Sequence, residues 1–233
     1  MSLVYYAIGD IHGELEKLQS LHNHILNFHK TMHRNRPHLI IHLGDYVDRG
    51  PNSSGVIDYI KSLDDNESFN IANLKGNHEV LMLKALKSSQ KTPLRHWLDN
   101  GGEQTLASYP NRIHNTNLNT HLHWIETLPT LYKDDNRNLI FVHAGINPET
   151  YPKDDDHVHL WTRSPAFFES QHWINPKLKD VTVIHGHTPT LTDYPDISQD
   201  GRRINIDTGA CYGGPLTAVV LALGDKPHFL FSH

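Results

Sequence analysis

His38-Leu39-Ile40-Ile41-His42-Leu43-Gly44-Asp45-Tyr46-Val47-Asp48-Arg49-Gly50 is the stretch on which the reading of this chain turns. Its first six residues are a short, largely apolar run of strand length. Gly44 opens a loop that carries two carboxylates and a guanidinium, and Gly50-Pro51-Asn52-Ser53-Ser54 then reads as a turn and a helix start. Charged groups are thus gathered at the carboxyl end of a strand, where open α/β sheets place their ligands. Carboxylates there suit a cation, and an arginine beside a cation suits phosphate, because its planar fork binds two oxygens at once. Taken alone, the stretch also fits an ordinary acidic turn with a surface ion pair.

The neighbouring segments decide between the two. On the amino side, Val4-Tyr5-Tyr6-Ala7-Ile8 reads as a buried first strand ending in Gly9-Asp10-Ile11-His12-Gly13, and an amphipathic helix follows through Leu15, Leu18, Leu21, Ile25 and Leu26. Asp10 and His12 are two apart, so in an extended segment they point the same way. On the carboxyl side, a helix is expected around Val56–Ile60. A third strand over 69–74 then opens onto Lys75-Gly76-Asn77-His78-Glu79 and another helix. Strand, polar loop and helix therefore recur three times, and a parallel sheet brings all three loops to one edge.

Residues 88–135 read as mostly helical, broken at Asn100-Gly101-Gly102, with one amphipathic helix around Trp124, Ile125 and Leu128. Leu139–Val142 is a strand ending in His143-Ala144-Gly145, and Val181–Ile184 is another, ending in His185-Gly186-His187-Thr188-Pro189. Arg203–Asp207 and Leu216–Leu221 read as late strands joined by a turn at Gly213-Gly214-Pro215, with Phe229–Phe231 as an edge strand. The second half is richer in β-structure, with antiparallel hairpins. No linker or charge run divides the chain, so residues 1–233 are read as a single domain.

Five strand ends now carry donors of metal type: Asp10 and His12; Asp45 and Asp48; Asn77 and His78; His143; His185 and His187. Turns do not need imidazole, and the set holds nitrogen and oxygen donors without a thiolate. That favours Mn, Fe or Zn over a cysteine-rich structural zinc site and disfavours Ca or Mg as sole occupant. The donors are too many for one ion, so two ions are expected.

In order and spacing, the Gly9–Gly13, Gly44–Gly50 and Gly76–Glu79 motifs resemble those of the phosphoprotein phosphatase family of calcineurin-like metallophosphoesterases. His143-Ala144-Gly145 and Gly186-His187-Thr188-Pro189 resemble that family's two later metal histidines. The resemblance runs from residue 4 to about 220 and is nearest to the bacterial and phage branch, which includes small serine/threonine phosphatases and symmetrical diadenosine tetraphosphatases. It implies an α/β fold of mixed sheets packed as a sandwich and flanked by helices. It also implies two divalent ions, with Mn ahead of Fe or Zn. Asp10 and His12 hold the first ion, Asp45 bridges both, and Asn77, His143 and His187 complete the second. A bridging hydroxide attacks phosphorus, Arg49 and Arg163 bind the phosphate, and His78, oriented by Asp48, protonates the leaving oxygen.

The function implied first is hydrolysis of phosphoserine or phosphothreonine in a phosphorylated protein or peptide. The alternatives are symmetrical cleavage of dinucleoside tetraphosphates and a non-catalytic binding module on the same fold. Trp97, Tyr109, Trp124 and Trp161 have the rings to stack on a base, although aromatic residues at helical spacing are usually core. Glu79 reads as a structural carboxylate in a helix's first turn. His185 reads as a packing or supporting residue, His42 as a satisfied core histidine, and Cys211 and Tyr212 as possible pocket residues. The net charge of −5 argues against a nucleic-acid duplex as partner or a nuclease activity, and no apolar run approaches a bilayer span. The single cysteine is compatible with a reducing cytoplasm.

Overall fold

The computed structural model describes residues 2–63, 66, 68–109 and 116–233. The first half runs β1 (Val4–Ile8), α1 (Leu15–Met32), β2 (His38–His42), α2 (Ser53–Ser62), β3 (Ile71–Asn73) and α3 (Asn77–Lys87), the rhythm expected from the sequence. The middle holds α4 (Lys91–Trp97), a π-turn at Leu98–Gly102, α5 (Glu103–Ser108) and α6 (Thr116–Thr127). Residues 110–115 of the stretch expected to be helical lie outside the described residues. The remainder is β4 (Leu131–Asp134), β5 (Leu139–Val142), α7 (Asp156–Trp161), α8 (Pro165–Phe168), β6 (Thr182–His185), β7 (Asp196–Ile197), β8 (Arg203–Asn205), β9 (Leu216–Leu221) and β10 (His228–Ser232).

The strands make two mixed five-stranded sheets, in the orders β10-β9-β1-β2-β3 and β4-β5-β6-β8-β7. Alternation along β1 shows how they pack. Tyr5 and Ala7 face Leu39, Ile41, Phe141, Ile184, Ile204 and Val219 in a core shared by the two sheets. Val4, Tyr6 and Ile8 face the other way, onto Leu18, Leu21 and Ile25 of α1 and onto α2 and α3. A strand covered on both faces must be apolar throughout, which is why β1 reads as a continuous hydrophobic run. Ile140, Val142 and Val183 on the outer face of the second sheet are covered by Phe167, Trp173 and Leu178.

Register places the site. β1 pairs β2 in parallel from Val4↔His38 to Ile8↔His42, and β2 pairs β3 in parallel, so the loops carrying Asp10, Asp45 and Asn77 leave one edge. In the second sheet β5, β6 and β8 are also mutually parallel, so His143, His187 and Asp207 leave one edge. The two edges are tied together. The His143 Nδ1–H donates to the Leu43 carbonyl at 3.2 Å, and the His187 backbone N–H donates to Asp10 at 3.1 Å.

Two sequence expectations are corrected. The late strands at 203–205 and 216–221 do not form a hairpin: β8 belongs to the second sheet and β9 to the first, where it pairs antiparallel with β1 and β10. Residues 206–215 are an excursion between sheets, with a 3₁₀ turn at Ala210–Tyr212, rather than a tight turn. The strand β4 also lies within the stretch expected to be helical; it is a part-exposed edge strand hairpinned to β5, and its mixed Leu-Tyr-Lys-Asp composition carries no helical or strand period.

Candidate metal centre

The loops that reach the site are bent in an unusual way. Seven described residues other than glycine have φ in the left-handed range, and five of them are His12, Asp45, Asp48, Arg49 and His187. Each such residue costs on the order of 1–3 kcal/mol, so this conformation persists only where the surroundings impose it. Glu79 is the main constraint on the central loop. Fully buried, its carboxylate accepts from the backbone N–H groups of Asp45 (2.9 Å), Tyr46 (2.8 Å), Val47 (3.2 Å) and Gly76 (2.8 Å). Burial pushes its pKa up to about 7, against the pull of those N–H groups. The structural role expected for Glu79 is therefore observed, through backbone clamping as well as its place at the start of α3.

The direction of each hydrogen bond shows which lone pairs face inward. The His12 Nδ1–H donates to the Val47 carbonyl at 2.7 Å, and His143 Nδ1–H donates to the Leu43 carbonyl. Carbonyls only accept, so each ring keeps a bare Nε2. Burial holds both rings well below the ordinary histidine pKa, so they are neutral. The two bare nitrogens each lie 3.4 Å from the same oxygen, Oδ2 of Asp45. His143 Nε2 also faces Oδ1 of Asn77 at 2.8 Å, and His187 Nδ1 lies 2.8 Å from that oxygen. Two acceptors 2.8 Å apart repel unless a positive centre lies between them.

His12, Asp45 and His78, and separately Asp45, His143 and His187, bring one donor atom each to within 4.8 Å of one another. Asp45 is common to both sets. Nε2 of His187, buried, has no hydrogen-bond partner. Asp10 stands beside these sets rather than within them: its carboxylate accepts the His187 backbone N–H. Burial and the repulsion of nearby carboxylates, Asp207 beside Asp10 and Asp10 beside Asp45, drive both pKa values well up. Buried carboxylates with neutral imidazoles are a donor set that fits divalent cations.

His78 is set differently. Its Nδ1–H donates to Oδ2 of Asp48 at 2.7 Å, and its Nε2 faces the site 4.0 Å from Asp45. Asp48 is fixed in turn by Trp97 Nε1–H (2.9 Å) and Thr105 Oγ1–H (2.7 Å). Burial raises its pKa to about 7 despite those bonds. Arg49 donates to His12 Nε2 at 2.7 Å and lies over the ring of Tyr212, so Tyr212 does line the site. Arg163 is exposed and donates to the His187 carbonyl (3.2 Å) and Thr188 Oγ1 (3.3 Å), which holds it at the rim.

Of the ten residues singled out as ligands or catalytic groups, His12, Asp45, Asn77, His78, His143 and His187 come together, Asp10, Asp48 and Arg49 bond to members of that group, and Arg163 stands at the rim. Sequence reading missed Thr105, Asp207 and Gly101. Trp97 was read only as a stacking ring or core residue. Gly101, at φ +101°, gives its carbonyl to the Arg49 N–H, and a Cβ there would meet Arg49 N at 2.8 Å. The Asn100-Gly101-Gly102 break was visible, but its role of seating the arginine was not. Two readings of histidine hold: His185 packs on Phe167 and accepts from Arg203, and His42 bonds within the core.

With this geometry in view, comparisons with known proteins are informative. Curated relatives named bis(5'-nucleosyl)-tetraphosphatase PrpE [asymmetrical] match at 26% identity in Bacillus cereus and 25% in Bacillus mycoides, each over 92% of this chain and 89% of the relative. Solved structures with the same fold include a putative diadenosine tetraphosphatase (TM-score 0.65, 22% identity, 99% of this chain and 94% of that one). A protein serine/threonine phosphatase of Saccharomyces cerevisiae is similar at TM-score 0.60 and 17% identity, over 99% of this chain and 80% of that one. The family model for calcineurin-like phosphoesterases matches residues 3–220, and the chain belongs to that family.

Proposed function

We propose that this phosphoesterase hydrolyses dinucleoside tetraphosphates asymmetrically, to a nucleoside monophosphate and a nucleoside triphosphate, with two divalent ions, Mn first, held by Asp10, His12, Asp45, Asn77, His143 and His187. The observation that carries the reaction class is the pairing of lone pairs around Asp45: His12 Nε2 on one side and His143 Nε2 with Asn77 Oδ1 on the other. The substrate class is supported by the curated tetraphosphatases that match across 92% of the chain. The likeness to a protein serine/threonine phosphatase, at 17% identity, is one of fold. Their asymmetrical name is why that cut is proposed over the symmetrical one expected from the sequence.

The ions supply acidification of water and neutralisation of phosphate charge. His12 Nε2, which now accepts from Arg49, would be the nitrogen that holds an ion; Arg49 has the planar fork to bind phosphate oxygens, and Arg163 meets the same anion from the rim. His78 has its Nδ1–H held by Asp48 and burial lowers its pKa to about 3, so its Nε2 is bare and faces the site; that nitrogen takes the proton released by the attacking water and passes it to the leaving phosphate oxygen. Water adds to phosphorus as the bridging P–O bond breaks. A cytoplasmic setting, in which Cys211 stays a free thiol, fits this reading.

A steady-state comparison with added Mn²⁺ tests it. Diadenosine tetraphosphate is expected to exceed a phosphoserine peptide in kcat/KM by about tenfold or more, a margin of about 1.4 kcal/mol, with AMP and ATP as products. Preference for the peptide would overturn the substrate class, and two ADP would overturn the asymmetry.

A further inference from the structure

Three helices start or end at the metal centre. α3 begins with Asn77 and His78, α4 ends at Trp97 on Asp48, and α7 ends at Trp161, whose ring stands edge-on to His187 with centroids 6.2 Å apart. Between them is a cleft of about 410 Å³, lined by Leu81 and Lys84 of α3, Pro93 and His96 of α4, and His157 and Trp161 of α7. Leu81 follows His78 by one helical turn and Lys84 by two, so one face of α3 leads from the catalytic histidine into the cleft. Larger cavities of about 510 and 640 Å³ lie elsewhere, and no residue of the metal centre lines them.

The chemistry of this lining is selective. Trp161 is half-buried, and His157 is stacked one turn before it at an interplanar angle of 29°. Trp97 and Tyr109 are buried, and Trp124 packs on Tyr46, which leaves Trp161 as the ring of those four that faces an open cleft beside the donors. No carboxylate lines the cleft, while Lys84, His96 and His157 do, and Arg163, two residues after Trp161, donates to the His187 carbonyl. An apolar floor with a π-face, basic walls and an arginine bonded to the neighbouring His187 carbonyl match a flat heteroaromatic group attached to a chain of phosphates.

We infer that this cleft is the nucleoside subsite, with the base stacked on Trp161 and the phosphate nearest it at the metal centre beside Arg163. The inference rests on the dinucleotide reading above. The short path from Trp161 to His187 also places the phosphate nearest that nucleoside at the donors, in keeping with an asymmetrical cut.

Equilibrium binding of AMP and of ribose 5-phosphate, which share the phosphate and differ in the base, tests the subsite independently of turnover. AMP is expected to bind about tenfold more tightly, the size of one base–aromatic stack. Trp161→Ala is expected to abolish that preference and Trp161→Phe to retain most of it. His157→Ala, at an exposed position, is expected to reduce it by a smaller factor and serves if the alanine at 161 does not fold. Equal binding of the two ligands by the unaltered protein, or a preference that survives Trp161→Ala and His157→Ala, would overturn the subsite. Loss of the dinucleotide reading shows differently: an intact AMP preference with no cleavage of diadenosine tetraphosphate keeps the subsite and removes the substrate.

Discussion

The chain contains two sets of buried histidines with opposite hydrogen-bond logic. In the helical layer, Tyr59 O–H donates to His22 Nδ1 (3.0 Å), His22 Nε2–H donates to His42 Nε2 (3.0 Å), and His42 Nδ1–H donates to Asn73 Oδ1 (2.7 Å). Every ring nitrogen there has a proton or a lone pair matched to a neighbour. At the sheet edges, His12 and His143 spend their protons on carbonyls and turn bare nitrogens toward Asp45. Residue type and burial are the same in both places. What separates a packing histidine from a candidate metal ligand here is where its lone pair points and whether a donor answers it.

Substitutions can break this contrast, starting with the largest effect. Asp45→Asn removes charge from the oxygen shared by both donor sets, and activity is expected to fall by about a thousandfold or more, checked by initial rates at saturating Mn²⁺. Chelation is expected to abolish turnover in the unaltered protein and to lower its melting temperature. His78→Asn is expected to lower kcat by about a hundredfold or more while bound metal is retained. Loss of an ion in that variant would make His78 a ligand rather than the proton donor, a sharp test because it shares a donor set with His12 and Asp45.

Smaller effects follow from the supporting groups. Trp97→Phe deletes an N–H donor to Asp48, a bond to a charged group worth about 1.5–3 kcal/mol, and kcat is expected to fall about tenfold with KM little changed. Gly101→Ala places a methyl against the Arg49 backbone at a positive φ, and urea unfolding is expected to show a loss of about 1–3 kcal/mol. The packing set is expected to act on stability alone. Burial lowers the pKa of His42 to about 4, so the folded protein resists its protonation more than the unfolded chain does. Its contribution is complete above the unfolded value near 6.5 and is lost as pH falls from there through about 4, a difference of up to about 3 kcal/mol. A His22→Phe/His42→Leu variant is expected to show a shallower decline of unfolding free energy over that window.

The sequence made the site more legible than the architecture around it. Asp10, Asp45, Asn77, His143 and His187 each follow a short apolar run, and parallel pairing converts that placement into convergence without further information. The assignment of β8 and β9 to different sheets was not readable, because both runs are apolar and only the tertiary excursion through Asp207 separates them. Trp97 and Thr105 were invisible as supports of Asp48 for a similar reason: they come from α4 and α5, and no spacing links residue 48 to residues 97 and 105. Glu79 was read correctly as structural, yet three backbone bonds to a loop more than thirty positions away were beyond a local rule.

The central claim is that Asp45 joins two adjacent cation sites. Equilibrium dialysis against Mn²⁺, with metal counted per chain, addresses it without reference to any substrate. Two ions per chain in the unaltered protein, reduced in Asp45→Asn and unchanged in His22→Phe/His42→Leu, is the predicted result. A single ion or none in the unaltered protein, or two ions still held by Asp45→Asn, would contradict it.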